Sequence, residues 1–254
     1  MLLKSFTAGN LPVEIYETRD EMGKAAAKQA AADLKEIIAK KGEAVAIFAA
    51  APSQNEFLAE LQKEDVEWEK IIAFHMDEYI GLPKEHPAGF ANFLRAAIFD
   101  KKPFKAVYCL DGQNTAEAEC ERYSALLTEH KPDIIFLGVG ENGHLAFNDP
   151  PVADFHDPKK IKPVELDQVC RQQQVNDGCF ASLDEVPKVA LTLTMSLIMD
   201  CPYTVVVVPA PTKRNAIKNL IEGEITTACP ASILKTHKHA KLFCDKDSGA
   251  DFIA

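Results

Sequence analysis

The chain has 254 residues, of which 47% are apolar, and its formal net charge at pH 7 is −10. This length and apolar content suffice for one large α/β domain, and no change of composition marks a linker between two domains. The acidic balance argues against a nucleic-acid-binding protein, because contact with a phosphate backbone requires an excess of basic residues. A small anionic ligand would therefore need basic groups placed locally.

The sequence predicts neither a membrane-spanning segment nor an export signal. No stretch approaches the roughly 20 uninterrupted apolar residues that cross a bilayer. The N-terminus lacks a charged region followed by an apolar core. Seven cysteines are scattered along the chain, and no two of them form a Cys-x-x-Cys pair. We therefore expect a soluble cytoplasmic protein with reduced thiols and no membrane partner.

Strand and helix patterns alternate along the chain. A strand is predicted at residues 13–16, and an Ala/Lys/Glu-rich helix follows at residues 20–40, ended by Gly42. Further strands are predicted at residues 44–51, 71–74, 106–109, 134–137, 204–208 and 240–244. Further helices are predicted at residues 53–61, 90–99, 115–128, 187–199, 212–222 and 230–236. Ser53 is expected to cap its helix.

Continuous Val/Ile-rich strands that alternate with helices indicate a mostly parallel sheet that is covered on both faces. We therefore predict a single-domain α/β fold over residues 1–254, with a Rossmann-like, doubly wound sheet. Residues 151–184 fit no periodic pattern and mix polar, aromatic and proline residues. We interpret this segment as a lid-like excursion over the rim of the sheet, because long ordered loops often close over a site.

The first motif is His75-Met-Asp-Glu-Tyr79, which directly follows the predicted strand at residues 71–74. Ligands bind at the ends of strands in open α/β sheets, and partial burial raises the pKa of a carboxyl there. Asp77 is therefore a candidate general base. The alternative is that Asp77 caps the following turn and that Glu78 is solvated.

The second motif is Gly138-Val-Gly-Glu-Asn-Gly-His-Leu-Ala-Phe-Asn-Asp-Pro150, after the predicted strand at residues 134–137. Its glycines allow a close approach of the backbone to a ligand and could present amides to an anion. His144 is suited to proton transfer near neutral pH, and Asn142 and Asp149 could orient it. The alternative is a glycine-rich turn with a hydrogen-bonded histidine, since the spacing is not that of a dinucleotide site.

Together the motifs at residues 75–83 and 138–150 resemble the signatures of glucosamine-6-phosphate deaminases. The resemblance extends nearly end to end, with further matches at residues 186–192, at Lys213 and at Glu222-Gly223. The related 6-phosphogluconolactonases share the glycine-rich turn and its histidine. They lack the Met-Asp-Glu-Tyr element and the Ala-Phe-Asn continuation, so the deaminases are the better match.

The resemblance implies isomerisation of an amino-sugar phosphate with loss of ammonia, without a cofactor or a metal. Asp77 would move a proton from C2 to C1, and His144 would move a proton during ring opening. The commonest family pattern has aspartate in place of Asn142 and glutamate in place of Asp149. Asn142 can orient the imidazole but cannot stabilise the imidazolium by charge, so the shorter Asp149 must do so alone.

A further set of residues is expected to contact the substrate. Glu78, Gly140 and Gly143 belong to it through the two motifs. Lys213 matches the family's phosphate-contacting lysine, although a solvated lysine at a helix start is the alternative. Ser53 and Gln54 stand where the family has a glycine-rich phosphate loop, and a helix N-terminus offers free amides to an anion. The family's phosphate-binding arginine has no clear counterpart, and Arg171 is the substitute that we expect.

Three functions are compatible with these sequence features. The leading hypothesis is a deaminase acting on glucosamine 6-phosphate or galactosamine 6-phosphate. A lactonase would use His144 to activate water and would have little need for Asp77. A binding module could keep the fold without turnover. The expected partner is a small sugar phosphate, and both a monomer and a homo-oligomer are compatible with the sequence.

Overall fold

The computed structural model describes residues 1–253 of the chain as eleven strands and seven α-helices joined by short 3-10 turns. The strands are Leu2–Ala8 (β1), Leu11–Tyr16 (β2), Ala44–Phe48 (β3), Ile71–His75 (β4), Asp77–Tyr79 (β5), Ala106–Tyr108 (β6), Ile134–Leu137 (β7), Ile161–Glu165 (β8), Val189–Leu193 (β9), Tyr203–Val208 (β10) and Ala240–Asp245 (β11). The helices are Arg19–Lys41 (α1), Asn55–Leu61 (α2), Phe90–Leu94 (α3), Ala116–Glu129 (α4), Gln168–Asn176 (α5), Met195–Asp200 (α6) and Arg214–Glu222 (α7).

The main sheet has the strand order β1-β2-β11-β10-β7-β3-β4-β6. Its pairs are parallel except for the antiparallel β1 and β2. From β3 the chain winds outward through β4 and β6, whereas from β7 it winds the other way through β10 and β11. The direction therefore reverses between β3 and β7, and the crevice beyond the carboxyl ends of such a pair is where doubly wound folds bind ligands.

Both faces of this sheet are buried, as the Val/Ile-rich strands predict. Along β3, Ala46 and Phe48 pack on the side of α1 and α2, whereas Val45 and Ile47 pack on the side of α4, α6 and α7. The alternation follows from the two-residue period of a strand. The predicted single-domain α/β fold with helices on both faces is confirmed. Among residues 1–253, no helix combines the length and apolarity that crossing a bilayer would require.

A small antiparallel sheet with the order β5-β9-β8 covers part of the carboxyl end of the main sheet. It corrects the helix predicted at residues 187–199, because β9 occupies the first part of that range and α6 begins only at Met195. Val189–Leu193 forms a strand because it pairs with β5 on one side and β8 on the other. The segment 151–184 likewise contains β8 and α5, and its action as a lid stays a prediction.

Four local corrections concern the type or the bounds of elements. Ser53 lies inside a 3-10 turn, Pro52–Gln54, and does not cap α2 with its side chain. The helix predicted at residues 90–99 is α3 followed by a π-helical turn, Arg95–Phe99. Residues 230–236 form a 3-10 helix rather than an α-helix. The first strand pair begins earlier than predicted, since β1 precedes β2 and joins it through Gly9 at φ +61°.

Candidate active site

A cavity of about 320 Å³ opens where β3, β4, β7 and β10 end. Its walls come from the turns that follow these strands, together with residues of α5 and the first residue of α1. Five of the residues expected from the sequence line it: Ser53, Asp77, Gly140, His144 and Lys213. The two motifs, which are about 65 residues apart in the chain, therefore meet in one cavity, as parallel strands with a common carboxyl edge require.

Asp77 places a buried carboxylate on the wall of this cavity. Its backbone pairs with Thr192 of β9, which fixes the strand, and only 7% of the residue is exposed. No hydrogen bond to its carboxylate is found among residues 1–253. Burial, followed by the charge of Glu78, raises its pKa well above the usual value. A carboxyl with a raised pKa and no internal partner is suited to take a proton from a bound molecule.

Glu78 lies on the opposite side of β5 and does not line the cavity. Its carboxylate accepts hydrogen bonds from the backbone N–H groups of Tyr79 (3.0 Å), Phe90 (3.1 Å) and Ala91 (2.9 Å). Burial raises its pKa, although these amides oppose the shift. The structure therefore corrects the expectation of a substrate contact: Glu78 joins the start of α3 to the strand that carries Asp77.

His144 is held by the two neighbours that the motif suggested. Its Nδ1 lies 2.8 Å from Asn142 Oδ1 and 2.8 Å from Asp149 Oδ1. Asn142 also donates to Asp149 through Nδ2 at 2.8 Å, so the three side chains form a closed network. Burial by itself would raise the pKa of Asp149, but the hydrogen bond and charge of His144 outweigh it and lower that pKa. The shorter side chain of Asp149 therefore does reach the imidazole.

The amides of Gly140 and Gly143 make hydrogen bonds within the turn that carries His144. The Gly140 N–H donates to the carbonyl of His144, and the Gly143 N–H donates to the carbonyl of Gly140. Both amides are thus used inside the turn, which corrects the expectation that they present N–H groups to an anion, although Gly140 lines the cavity. A Cβ on Gly140 would lie 2.2 Å from the His144 ring, and Gly143 adopts φ +84° beside Cys229. Glycine is required at 140 because no side chain fits between the turn and the ring, and at 143 because of the left-handed backbone and the nearby Cys229.

Lys213 is buried, with 5% of the residue exposed, and no hydrogen bond or ion pair of its ammonium is found in residues 1–253. Burial lowers its pKa, and the charges of Asp177 and Glu141 partly offset the effect. Ser53 lines the same cavity, and its hydroxyl accepts a hydrogen bond from Gln54 Nε2 at 3.1 Å. An ammonium that forms no ion pair within the protein, on the same cavity wall as a hydroxyl, is suited to bind an anionic ligand.

Two expected phosphate ligands lie elsewhere. Gln54 is fully buried beneath the turn, where Nε2 also donates to the carbonyl of Val207 at 3.2 Å. Arg171 does not line the cavity, because its guanidinium donates to the backbone carbonyls of Leu183 and Val186. The Gln54 amide nitrogen and the Arg171 guanidinium are therefore occupied by internal contacts. Gln54 fixes the turn that carries Ser53, and Arg171 fixes the end of the segment 151–184.

The cavity also contains residues that the motifs did not identify. Arg19 reaches it from the start of α1, and Gln173, Gln174 and Asp177 reach it from the region of α5. The only sequence signal for the α5 residues is that Gln173 and Gln174 precede Asp177 by four and three residues, a spacing that places them on one face of a helix. Two alanines on the wall, Ala146 and Ala210, have positive φ angles of 51° and 87°. Such strain in non-glycine residues concentrates at functional sites.

One group of buried side chains has the atom types of a metal site. Ligand atoms of His144, Asp149 and Cys170 lie within 4.8 Å of one another. Burial raises the pKa of the Cys170 thiol, which disfavours the thiolate that a metal binds. His144 and Asp149 already contact each other, so these residues fit a hydrogen-bonded network better than a metal-ligand set.

The chain is similar to known proteins over most of its length. The family model described as glucosamine-6-phosphate isomerases/6-phosphogluconolactonase matches residues 17–244. A glucosamine-6-phosphate deaminase of Bacillus cytotoxicus is 32% identical over 235 residues, which cover 92% of this chain and 86% of the relative. One of Lactobacillus delbrueckii subsp. bulgaricus is 31% identical over 237 residues, covering 93% and 97%.

Solved structures share the whole fold. A monomeric glucosamine-6-phosphate deaminase matches with a TM-score of 0.84 at 28% identity, covering 94% of this chain and 98% of the other. A 6-phosphogluconolactonase from Trypanosoma brucei matches with a TM-score of 0.80 at 14% identity, covering 98% and 100%, which shows a common fold alone. With the family model spanning most of its length and relatives above 30% identity, the chain belongs to the family of glucosamine-6-phosphate isomerases and 6-phosphogluconolactonases.

Proposed function

We propose that the protein converts an amino-sugar phosphate, glucosamine 6-phosphate in the first instance, into a ketose 6-phosphate and ammonia. The observation that carries the proposal is the meeting of Asp77 with the His144–Asp149 pair in one cavity that also contains Lys213. A lactone hydrolase needs a group that activates water but has no carbon-bound proton to move. The buried Asp77 carboxylate therefore favours isomerisation over lactone hydrolysis.

The side chains divide the reaction between them. His144 accepts the proton of the anomeric hydroxyl and delivers it to the ring oxygen, which opens the ring. Asp149 stabilises the imidazolium that forms meanwhile, since its Oδ1 lies 2.8 Å from Nδ1. Asp77 then takes the C2 proton and returns it to C1, while the carbonyl oxygen at C1 gains a proton and the amino group loses one, so that the amino aldehyde becomes a hydroxy ketimine. Water hydrolyses the ketimine, and ammonia leaves.

Ammonia release separates this proposal from the alternatives. The protein is incubated with glucosamine 6-phosphate, galactosamine 6-phosphate and 6-phosphogluconolactone, and ammonia, ketose phosphate and acid are measured. We expect ammonia and ketose phosphate in equal amounts from an amino sugar. Lactone hydrolysis without ammonia from either amino sugar would contradict the proposal. Stabilisation by the sugar phosphates without any product would indicate a binding module.

The Asn142→Asp variant tests how the imidazole is supported. The substitution removes the donor to Asp149 and places a second negative charge 2.8 Å from His144 Nδ1. Because that charge favours the protonated imidazole, we expect ring opening to survive with its pH profile moved to higher pH. The measurement is kcat/KM between about pH 5 and pH 9, around the range where histidine titrates. An unchanged profile would contradict the assigned role of Asn142.

The proposed setting is the cytoplasm. All seven cysteines are free thiols, and four of them are buried. Retained thiols are typical of a reducing compartment. Fractionation of the native cells, with the protein followed by immunodetection, tests this expectation.

A further inference from the structure

Lys213 alone does not neutralise the charge of a phosphate bound in this cavity. Among the lining residues, the permanent positive charges are those of Arg19 and Lys213, and the carboxylates are Asp77 and Asp177. A phosphate monoester carries about −1.5 to −2 charges at neutral pH. Lys213 supplies one positive charge and is itself faced by Asp177. Arg19 is the other permanent cation on the wall.

Arg19 is the first residue of α1 and is held in a defined orientation. Its Nε donates to Glu56 Oε1 at 3.0 Å, and its Nη2 donates to Glu56 Oε2 at 2.9 Å. The same Nη2 donates to the carbonyl of Pro52 at 3.1 Å. These contacts use three of the five guanidinium N–H donors. The two donors on Nη1 have no partner among residues 1–253.

The contacts of Arg19 place it beside the turn that carries Ser53. The guanidinium holds the carbonyl of Pro52, and the next residue is Ser53, whose hydroxyl lines the cavity. Gln54 ties the same turn to β10 by donating to Val207. Lys213 comes from the turn that follows β10. The turn Pro52–Gln54 therefore connects the two cations, since Arg19 contacts one end of it and β10 contacts the other.

We propose that Arg19 is the second cation of the phosphate subsite and donates to a phosphate oxygen through Nη1. The phosphate then lies between the guanidinium of Arg19, the ammonium of Lys213 and the hydroxyl of Ser53. Glu56 orients the guanidinium and leaves its Nη1 edge for the ligand. This inference rests on the proposed function, since it assigns the recognition of the 6-phosphate in the same cavity.

The test compares Arg19→Ala and Arg19→Lys with a matched control, Arg214→Ala. Arg214 is the first residue of α7 and makes a similar two-point contact with Asp251, but it does not line the cavity. For Arg19→Ala we expect KM for glucosamine 6-phosphate to rise about tenfold or more, the size of a lost hydrogen bond to a charged group. We expect kcat to change less than about threefold, because the chemistry occurs at Asp77 and His144. Arg19→Lys should recover part of the loss, and Arg214→Ala should leave KM as it is.

A second readout does not depend on turnover. Inorganic phosphate is used as the probe, and the phosphate-dependent increase in Tm is measured for the parent protein and the variants. We expect an increase for the parent and for Arg214→Ala, and a much smaller one for Arg19→Ala. If Arg19→Ala keeps both the parent KM and the parent phosphate response, or if the parent shows no response, the inference is overturned. Absence of ammonia from the parent, with the phosphate response still dependent on Arg19, overturns the proposed function instead.

Discussion

The Asp77→Asn variant is expected to lose about 10³-fold in kcat for ammonia release. General acid–base catalysis by one positioned group contributes roughly 10²- to 10⁴-fold, and the amide of asparagine cannot accept the C2 proton. KM should change little, because Asp77 makes its main contribution after the substrate is bound. Steady-state ammonia release and the exchange of the C2 proton with solvent deuterium both measure this loss.

The same variant is expected to be more stable than the parent at neutral and alkaline pH. Burial raises the pKa of Asp77 in the folded protein well above the ordinary value of 3.8. The folded state therefore binds a proton that the unfolded state has released, and stability falls as pH rises between the two pKa values. Asparagine removes this cost, which is about 1.4 kcal/mol for each pKa unit of the shift. The gain in Tm should be present near pH 8 and should vanish near pH 4.

Asp177→Asn is the matched control, since it makes the same carboxylate-to-amide change on the wall of the same cavity. It should retain turnover and lower KM, because the charge of Asp177 faces Lys213. Full activity in Asp77→Asn would show that another group moves the C2 proton. A loss of Tm in Asp77→Asn at pH 8 would show that the ionised carboxylate stabilises the fold.

The Gly140→Ala variant is expected to lose at least about 100-fold in kcat. The added Cβ would lie 2.2 to 2.4 Å from three atoms of the His144 ring, which forces the imidazole out of its place. Displacement of a reacting group by about 1 Å can cost about 10²-fold in rate. Steady-state kinetics measure the loss, and the imidazole NMR signals report the displacement of the ring.

Gly42→Ala provides the control for this change. Gly42 has φ +84° at the end of α1, and nothing lies within 4 Å of an added Cβ. It should cost about 1 kcal/mol of stability, because an L-residue is strained in the left-handed region, and should leave the kinetics unaltered. Wild-type turnover in Gly140→Ala, with an unmoved imidazole, would contradict the assigned role of the glycine.

Local sequence determined most elements and the two motifs of the site. The Ala-rich helix ending at Gly42 and the strand Ile134–Leu137 follow from hydrophobic period and capping, which act over a few residues. The same is true of Asp77 and His144, because each belongs to a motif that follows a strand identified by a local pattern. The sequence predicts a helix where the strand Val189–Leu193 lies. Five residues are too few to distinguish the helical period from the strand period, and a true helix, Met195–Asp200, begins just after them.

The tertiary structure alone decided which side chains face the cavity and which are consumed by internal contacts. The sequence predicts Arg171 as a phosphate ligand, but its guanidinium donates hydrogen bonds to the carbonyls of Leu183 and Val186 instead. Arg19 lies in a charged helix start with no motif, yet Glu56 and Pro52 hold it at the cavity. The sequence by itself determined the fold class and the proposed reacting groups, since both rest on short-range patterns. The surroundings of the substrate depend on contacts between residues far apart in the chain, and only the packing of the elements decides those.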